Sequence, residues 1–149
     1  MERDRLSGAA EIGSDLAARF LKALEEGALY ETCRDVLATY PSMASLWTMA
    51  NLAFLHGEAA ASRYREMEQA GDDVVYHGMS LIEQDATVLT YSRSSTVMHI
   101  LRDSAGKNVQ AICGEGRPNF EGRRLAGELS SADVNVRFAT DAGVLSLVD

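Results

Sequence analysis

Cysteine, proline and tryptophan are scarce: 149 residues hold two, two and one of them. Cys33 and Cys113 stand far apart, with no CxxC spacing and no His/Cys cluster. That excludes a disulfide framework and a structural zinc site, and it is the usage of a protein with reduced thiols, so the expected compartment is the cytoplasm. His56, His77 and His99 are scattered without metal or triad spacing, so no metal and no cofactor is expected. Positive charge is also in deficit, 14 Lys and Arg against 22 Asp and Glu, a formal net charge of −8. Direct nucleic-acid binding and a polybasic membrane patch both need the opposite balance. Long apolar runs are missing. The most apolar stretch, Leu46 to Leu55, contains Thr48 and Asn51 and is too short to span a bilayer. Met1 to Arg5 is charged and no apolar run follows, so no signal peptide is expected. No internal repeat, low-complexity segment or Pro/Gly/Ser linker interrupts the chain.

What remains is an ordinary globular composition, 46% hydrophobic and 24% charged, long enough to bury a core. The first part reads as helix. Ser14-Asp15 is a helix-start signal, after which Leu16, Ala17, Phe20, Leu21 and Leu24 fall on one face until Gly27. A second helix runs through Tyr30, Cys33, Leu37 and Tyr40 and stops at Pro41. A third starts at Ser42, and Met43, Leu46, Trp47, Ala50 and Phe54 form its expected core stripe before Gly57. A fourth spans Glu58 to Ala70. Gly71 is expected to break it, and Asp72 or Asp73 to cap a fifth helix carrying Val75, Met79 and Ile82.

The pattern changes near Gln84 to Ala86. Ala86 to Tyr91, Val109 to Cys113 and Val134 to Ala139 are short apolar runs that read as buried strands. Ser94 to Ala105 and Phe120 to Leu129 return to helical period between them. Alternation of this kind predicts an α/β fold: a helical domain over residues 1–85, then a partial Rossmann-like parallel sheet of three strands over 86–149. So small a sheet has an outer edge that should be covered or paired.

Open parallel sheets bind ligands beyond the carboxyl ends of their strands. That rule selects Ser92-Arg93-Ser94-Ser95-Thr96, Gly114 to Pro118, and Thr140-Asp141-Ala142-Gly143. The first combines hydroxyls, an arginine and the free N–H groups of a helix start, which suits an anion such as phosphate; it suits plain helix capping equally well. Glu115 and Arg117 flank Gly116, as a site pair or a structural ion pair. Asp141 follows its strand as an acid/base or as a helix cap. Adjacent strands lie about 4.8 Å apart, so the Cys113 thiol is either a neighbour of Ser92 in the crevice or a small buried hydrophobe.

At these same segments the chain resembles the family of the alpha, beta and delta regulatory subunits of translation initiation factor 2B and the related sugar-1-phosphate isomerases. The run from Leu81 to Val97, with Val88-Leu89-Thr90-Tyr91-Ser92-Arg93-Ser94-Ser95-Thr96-Val97 at its centre, is similar to the family's "(I/V)-L-T-H-S-x-S-S-T-V" element. Glu115-Gly116-Arg117-Pro118-Asn119-Phe120-Glu121-Gly122-Arg123 is similar to "E-S-R-P-x-x-E-G-R", the most specific of the matches. Val134-Asn135-Val136 leading to Asp141-Ala142 resembles "(I/V)-P-V-T-x-(I/V)-x-D-(S/A)-A". Upstream, Ser7-Gly8-Ala9-Ala10-Glu11-Ile12 is similar to "R-G-A-x-x-I", and Tyr40-Pro41-Ser42-Met43-Ala44 to "R-P-T-M-A".

The resemblance implies a ligand site for a phosphorylated sugar or nucleotide made by Ser92, Arg93, Ser94, Ser95, Thr96, Gly8, Ala9, Glu115, Arg117 and Glu121, with Asp141 as the retained acid partner of the isomerases. It also implies a homo-oligomer. The isomerases pair that aspartate with a cysteine; Ser92 stands at the matching position, and a hydroxyl is a far weaker acid than a thiol. Ser7 and Tyr40 replace two family arginines. Glu121, where methylthioribose enzymes tend to have Gln, leans toward the ribose-bisphosphate and regulatory branches. Family members continue well beyond the position of Asp141, so the chain is expected to be a truncated or split product, or to have its sheet completed by a partner chain. The expected function is non-catalytic binding; an aldose–ketose isomerase of a ribose 1-phosphate type substrate and a pure assembly module are the alternatives.

Overall fold

The structure is a computed structural model describing residues 9–147. It divides into two compact units, Met1–Ala70 and Gly71–Asp149. The division falls inside a helix, α4 (Ala60–Ser80).

The first unit is helical: α1 (Ala9–Glu25), α2 (Leu29–Thr39), α3 (Ala44–His56) and the start of α4. α1 begins before Ser14-Asp15, which therefore lie within the helix and do not start it; the Ser14 hydroxyl donates to Glu68 at 3.3 Å. Gly27 ends α1 as expected. At φ +71° it adopts a left-handed turn, with Gly27 N–H bonded to Leu24 and Ala28 N–H to Ala23, so two end carbonyls are satisfied. The core gathers Phe20, Val36, Leu46, Met49 and Ala53 around Tyr64, whose hydroxyl donates to the Met49 carbonyl at 2.7 Å.

The α3 stripe is displaced from its expected position. Leu46, Met49, Ala50 and Ala53 face the core, whereas Trp47 and Phe54 are exposed. Ala44–His56 is apolar nearly all round, so periodicity could not choose which face turns inward. Gly71 does not break α4 either. A single internal glycine costs a helix only about 1 kcal/mol relative to alanine, too little to end one continued on both sides by helix formers.

The second unit holds β1 (Thr87–Thr90), β2 (Gln110–Gly114) and β3 (Asn135–Ala139) in one parallel sheet of order β1-β2-β3, with α5 (Ser95–Asp103) and α6 (Glu121–Ser130) as crossovers. The fold is thus α/β, helices followed by a three-stranded parallel sheet, as the alternation implied. Right-handed crossovers that advance in one direction put both helices on the same face. Val88, Ala111 and Val136 share one register row, and they pack with Leu101 of α5 and with Leu125 and Leu129 of α6. On the other face Val144 closes over the end of β2 near Gly114. The end of α4 is tied down by Lys107, whose ammonium donates to the carbonyls of Met79 and Ile82 at 2.7 and 2.8 Å, a favourable place for a cation. Among the described residues no helix is long and apolar enough to cross a membrane.

Candidate functional site

Parallel strands end on one side of their sheet, so the three loops chosen from the sequence converge there. At the end of β1 the backbone turns from extended into α5. Ser94 is the N-cap of that helix, accepting from Val97 N–H at 3.4 Å, and its carbonyl accepts from Met98 N–H at 2.9 Å. Ser95 is buried and Thr96 half-buried in the first turn. Helix geometry leaves the first N–H groups without intrahelical acceptors, and they point out of the helix start.

Ser92 and Arg93 diverge. The Ser92 hydroxyl donates to Glu121 Oε2 at 2.7 Å, joining the β1 loop to the first residue of α6. Arg93 is turned inward: its side chain is only 4% exposed, and its Nε donates to Glu128 Oε2 at 2.9 Å. The other oxygen of Glu128 takes Arg124 at 2.9 Å. α6 therefore grips the β1 loop twice, through Glu121 and Glu128, and Arg93 anchors the loop without projecting from it.

The β2 loop is shaped by backbone donors. Gly116, at φ +70°, and Arg117 aim consecutive N–H groups at Asp141, at 2.8 Å to Oδ1 and 2.9 Å to Oδ2. These bonds, from Arg117 first and Gly116 next, hold the Asp141 carboxyl below its ordinary pKa. A carboxylate so satisfied binds a proton weakly and is a poor general base. Glu115 is buried and accepts from Arg117 Nε at 2.6 Å. The guanidinium groups of Arg117 and Arg123 lie 5.5 and 5.4 Å from the Phe120 ring centroid, flanking the start of α6.

Gly122 explains the close junction of α6 with β2. A Cβ there would sit 1.7 Å from the Gly114 carbonyl oxygen, so only glycine lets the helix begin against the strand end.

The strand ends thus carry two bonded sets, Ser92 with Glu121 and Arg117 with Glu115 and Asp141, with Ser94, Ser95 and Thr96 at the start of α5. Gly8 lies outside the described residues; Ala9 is the first residue of α1. Tyr40, at the position of a family arginine, is buried in the helical core. Cys113 belongs to the core beneath α6 and is fully buried, and that burial pushes its thiol up to about 11. It cannot stand in for a thiol facing the loops. Sequence reasoning missed Glu128. Its i,i+4 relation to Arg124 is readable, but its bond to Arg93 joins residues far apart in the chain and had no local signal. Among the described residues no group of three or more His, Cys, Asp or Glu is placed to hold a metal ion.

Comparison with known proteins points one way. The model of the Initiation factor 2 subunit family matches residues 17–149. A translation initiation factor eIF-2B subunit 2-like protein of Pyrococcus horikoshii is 32% identical, over 95% of this chain and 57% of its own length. A protein of the same description from Pyrococcus furiosus is 29% identical with the same coverage. The crystal structure of the Pyrococcus horikoshii OT3 translation initiation factor eIF-2B matches with a TM-score of 0.81 at 31% identity, again over 95% of this chain and 57% of that one. The chain therefore spans a little over half the length of these relatives.

Proposed function

From the premise that the chain belongs to the Initiation factor 2 subunit family, we propose that it is a non-catalytic, initiation factor 2B-like protein that binds a phosphorylated sugar or nucleotide at the strand ends. The α5 N-terminus, with Ser94 as cap and Ser95 and Thr96 in its first turn, receives the phosphate. Arg93, held by Glu128, fixes the loop, and Glu121 offers a carboxylate to ligand hydroxyls in exchange for Ser92. In the cell such a protein works as a homo-oligomer, or with a partner chain along the open β3 edge, in the cytoplasm.

The observation that carries the non-catalytic reading is the state of the two groups an isomerase of this family would use. One is Ser92, a hydroxyl already bonded to Glu121. The other is Asp141, whose two oxygens are engaged by backbone N–H groups. Neither is poised to carry a proton between adjacent carbons.

Thermal melting with ribose 1,5-bisphosphate as probe tests binding. Stabilisation that rises with probe concentration and disappears in Ser94→Glu is expected. Absence of any shift favours a pure assembly role and overturns the binding site. Turnover of the probe, lost in Asp141→Asn, overturns the non-catalytic reading.

A further inference from the structure

One large side chain at the strand ends has no part in the site described above. Tyr91, the first residue after β1, is 60% exposed, although Ser92 beside it is bonded to Glu121. A single exposed ring is ordinary on a protein surface. This one stands where an open parallel sheet takes its ligands.

The ring has a defined place. Cys113 belongs to the core beneath α6, so its neighbour Gly114 faces away from the helices. A Cβ at Gly114 would stand 3.6 Å from Tyr91 Cδ2, 3.1 Å from Asp141 Oδ1 and 3.3 Å from Val144 Cγ2. The ring edge, the carboxylate and a buried apolar side chain therefore converge on one point at the end of β2. The backbone brings the start of α6 alongside. The Tyr91 carbonyl oxygen and the Glu121 nitrogen lie 3.5 and 3.4 Å from where a Cβ of Gly116 would stand. Phe120, one residue before Glu121, is also exposed, with the guanidinium groups of Arg117 and Arg123 on its ring.

We infer that Tyr91 is a specificity-determining residue, and that the phosphorylated ligand is a nucleoside monophosphate whose base stacks on the Tyr91 ring. The inference rests on the reading that the α5 N-terminus receives the phosphate. Three features select this ligand class. The first is reach. Four residues of chain separate Tyr91 from Ser95, the first residue of α5, a span of at most about 14 Å. The ring is thus within reach of a ligand anchored on the first-turn amides.

The second is the pairing of an open ring with a carboxylate. A base offers a flat face to the ring and N–H donors to Asp141, whose Oδ1 takes one N–H bond, from Gly116, and has room for another. A pentose phosphate satisfies the carboxylates with its hydroxyls but leaves the ring in water. The third is charge. Glu115, Glu121 and Asp141 stand at these loops against Arg117 and Arg123, while Arg93 is turned inward to Glu128. That balance, in a chain of net charge −8, suits one phosphate and not a run of them.

Isothermal titration calorimetry of the full chain with adenosine 5′-monophosphate and ribose 5-phosphate isolates the base, because the two probes share phosphate and pentose. The parent should bind the nucleotide about tenfold more tightly, the worth of one stacked base. Stacking tolerates any base, so the choice of adenine is not critical. Tyr91→Ala should bring the ratio close to one with circular dichroism unchanged, and Tyr91→Phe should keep it. Tyr76→Ala, at an exposed tyrosine of α4, should leave the ratio as in the parent. Ser94→Glu should abolish binding of both probes. Equal affinity for the two probes, a ratio that survives Tyr91→Ala, or one lost as fully in Tyr91→Phe overturns the inference and leaves the phosphate site standing. Binding of neither probe, or binding that Ser94→Glu leaves intact, overturns the phosphate reading and the inference with it.

Discussion

Gly122→Ala tests how α6 meets the sheet. A Cβ at Gly122 would lie 1.7 Å from the Gly114 carbonyl oxygen, 2.9 Å from its carbon and 3.3 Å from the Glu115 carbonyl carbon. All three are backbone atoms, so no side-chain rotation relieves the contact. Either the helix start or the end of β2 must move by more than an ångström. Overpacking of this kind costs about 1–3 kcal/mol, and an all-backbone clash belongs at or beyond the upper end. The opposing gain is the higher helix propensity of alanine, about 1 kcal/mol. Clash should win, with a net loss of roughly 2 kcal/mol or more. Gly127 is the internal control, because it lies in the same helix and a Cβ there meets nothing within 4 Å. Gly127→Ala should stabilise by up to about 1 kcal/mol. Urea unfolding of both variants, followed by circular dichroism, gives the comparison. Because the helix start carries Glu121, Gly122→Ala should also weaken any phosphosugar-dependent stabilisation. Equal stability of the two alanine variants would refute the placement of α6 against β2.

Three further outcomes follow from the same geometry. Glu128→Ala removes a carboxylate bonded to the nearly buried Arg93 and should cost more than Glu66→Ala, which removes the partner of exposed Arg63 and should cost under about 1 kcal/mol; paired urea titrations decide it. Asp141 has a folded pKa lowered by the Arg117 and Gly116 N–H bonds, so its stabilising effect is present above its unfolded pKa and lost as pH falls through the folded one. Asp141→Asn should therefore be less stable than the parent at neutral pH, and the two should converge under acid conditions; a pH-independent gap would contradict the bonds. Cys113, pushed to about 11, and Cys33, also raised by burial, should both react with a thiol reagent at pH 8 far more slowly in the folded chain than in denaturant.

Much of the architecture was legible because local physics writes it into short stretches. The three short apolar runs became the three strands, but only β2, in the middle of the sheet, is buried as expected; β1 and β3 are edge strands and are exposed or half-buried, because strand order is not written in a short run. Gly27 and Gly57 ended their helices at positive φ, where glycine has no steric penalty. The strand-end rule chose three loops that do lie at one end of the sheet, because the direction of a parallel strand is fixed once its connections are helical. Ser14-Asp15 and Gly71 misled for a related reason. Capping and helix-breaking preferences are each of order 1 kcal/mol, and tertiary packing outweighs them.

What the sequence by itself determined is the kind of each element, the order of the strands' neighbours in the chain, the charge and the composition of the loops at the strand ends. Those follow from backbone sterics, side-chain period and ionisation, which act over a few residues. The three-dimensional structure alone decided which way each side chain in those loops faces. It turned Arg93 into α6 to meet Glu128, set Asp141 on the Gly116 and Arg117 amides, sank Cys113 into the core and left Trp47 outside it. Each of these outcomes depends on a partner remote in sequence, or on which of two apolar faces finds a core, and the free energy that settles the choice exists only once the chain has packed.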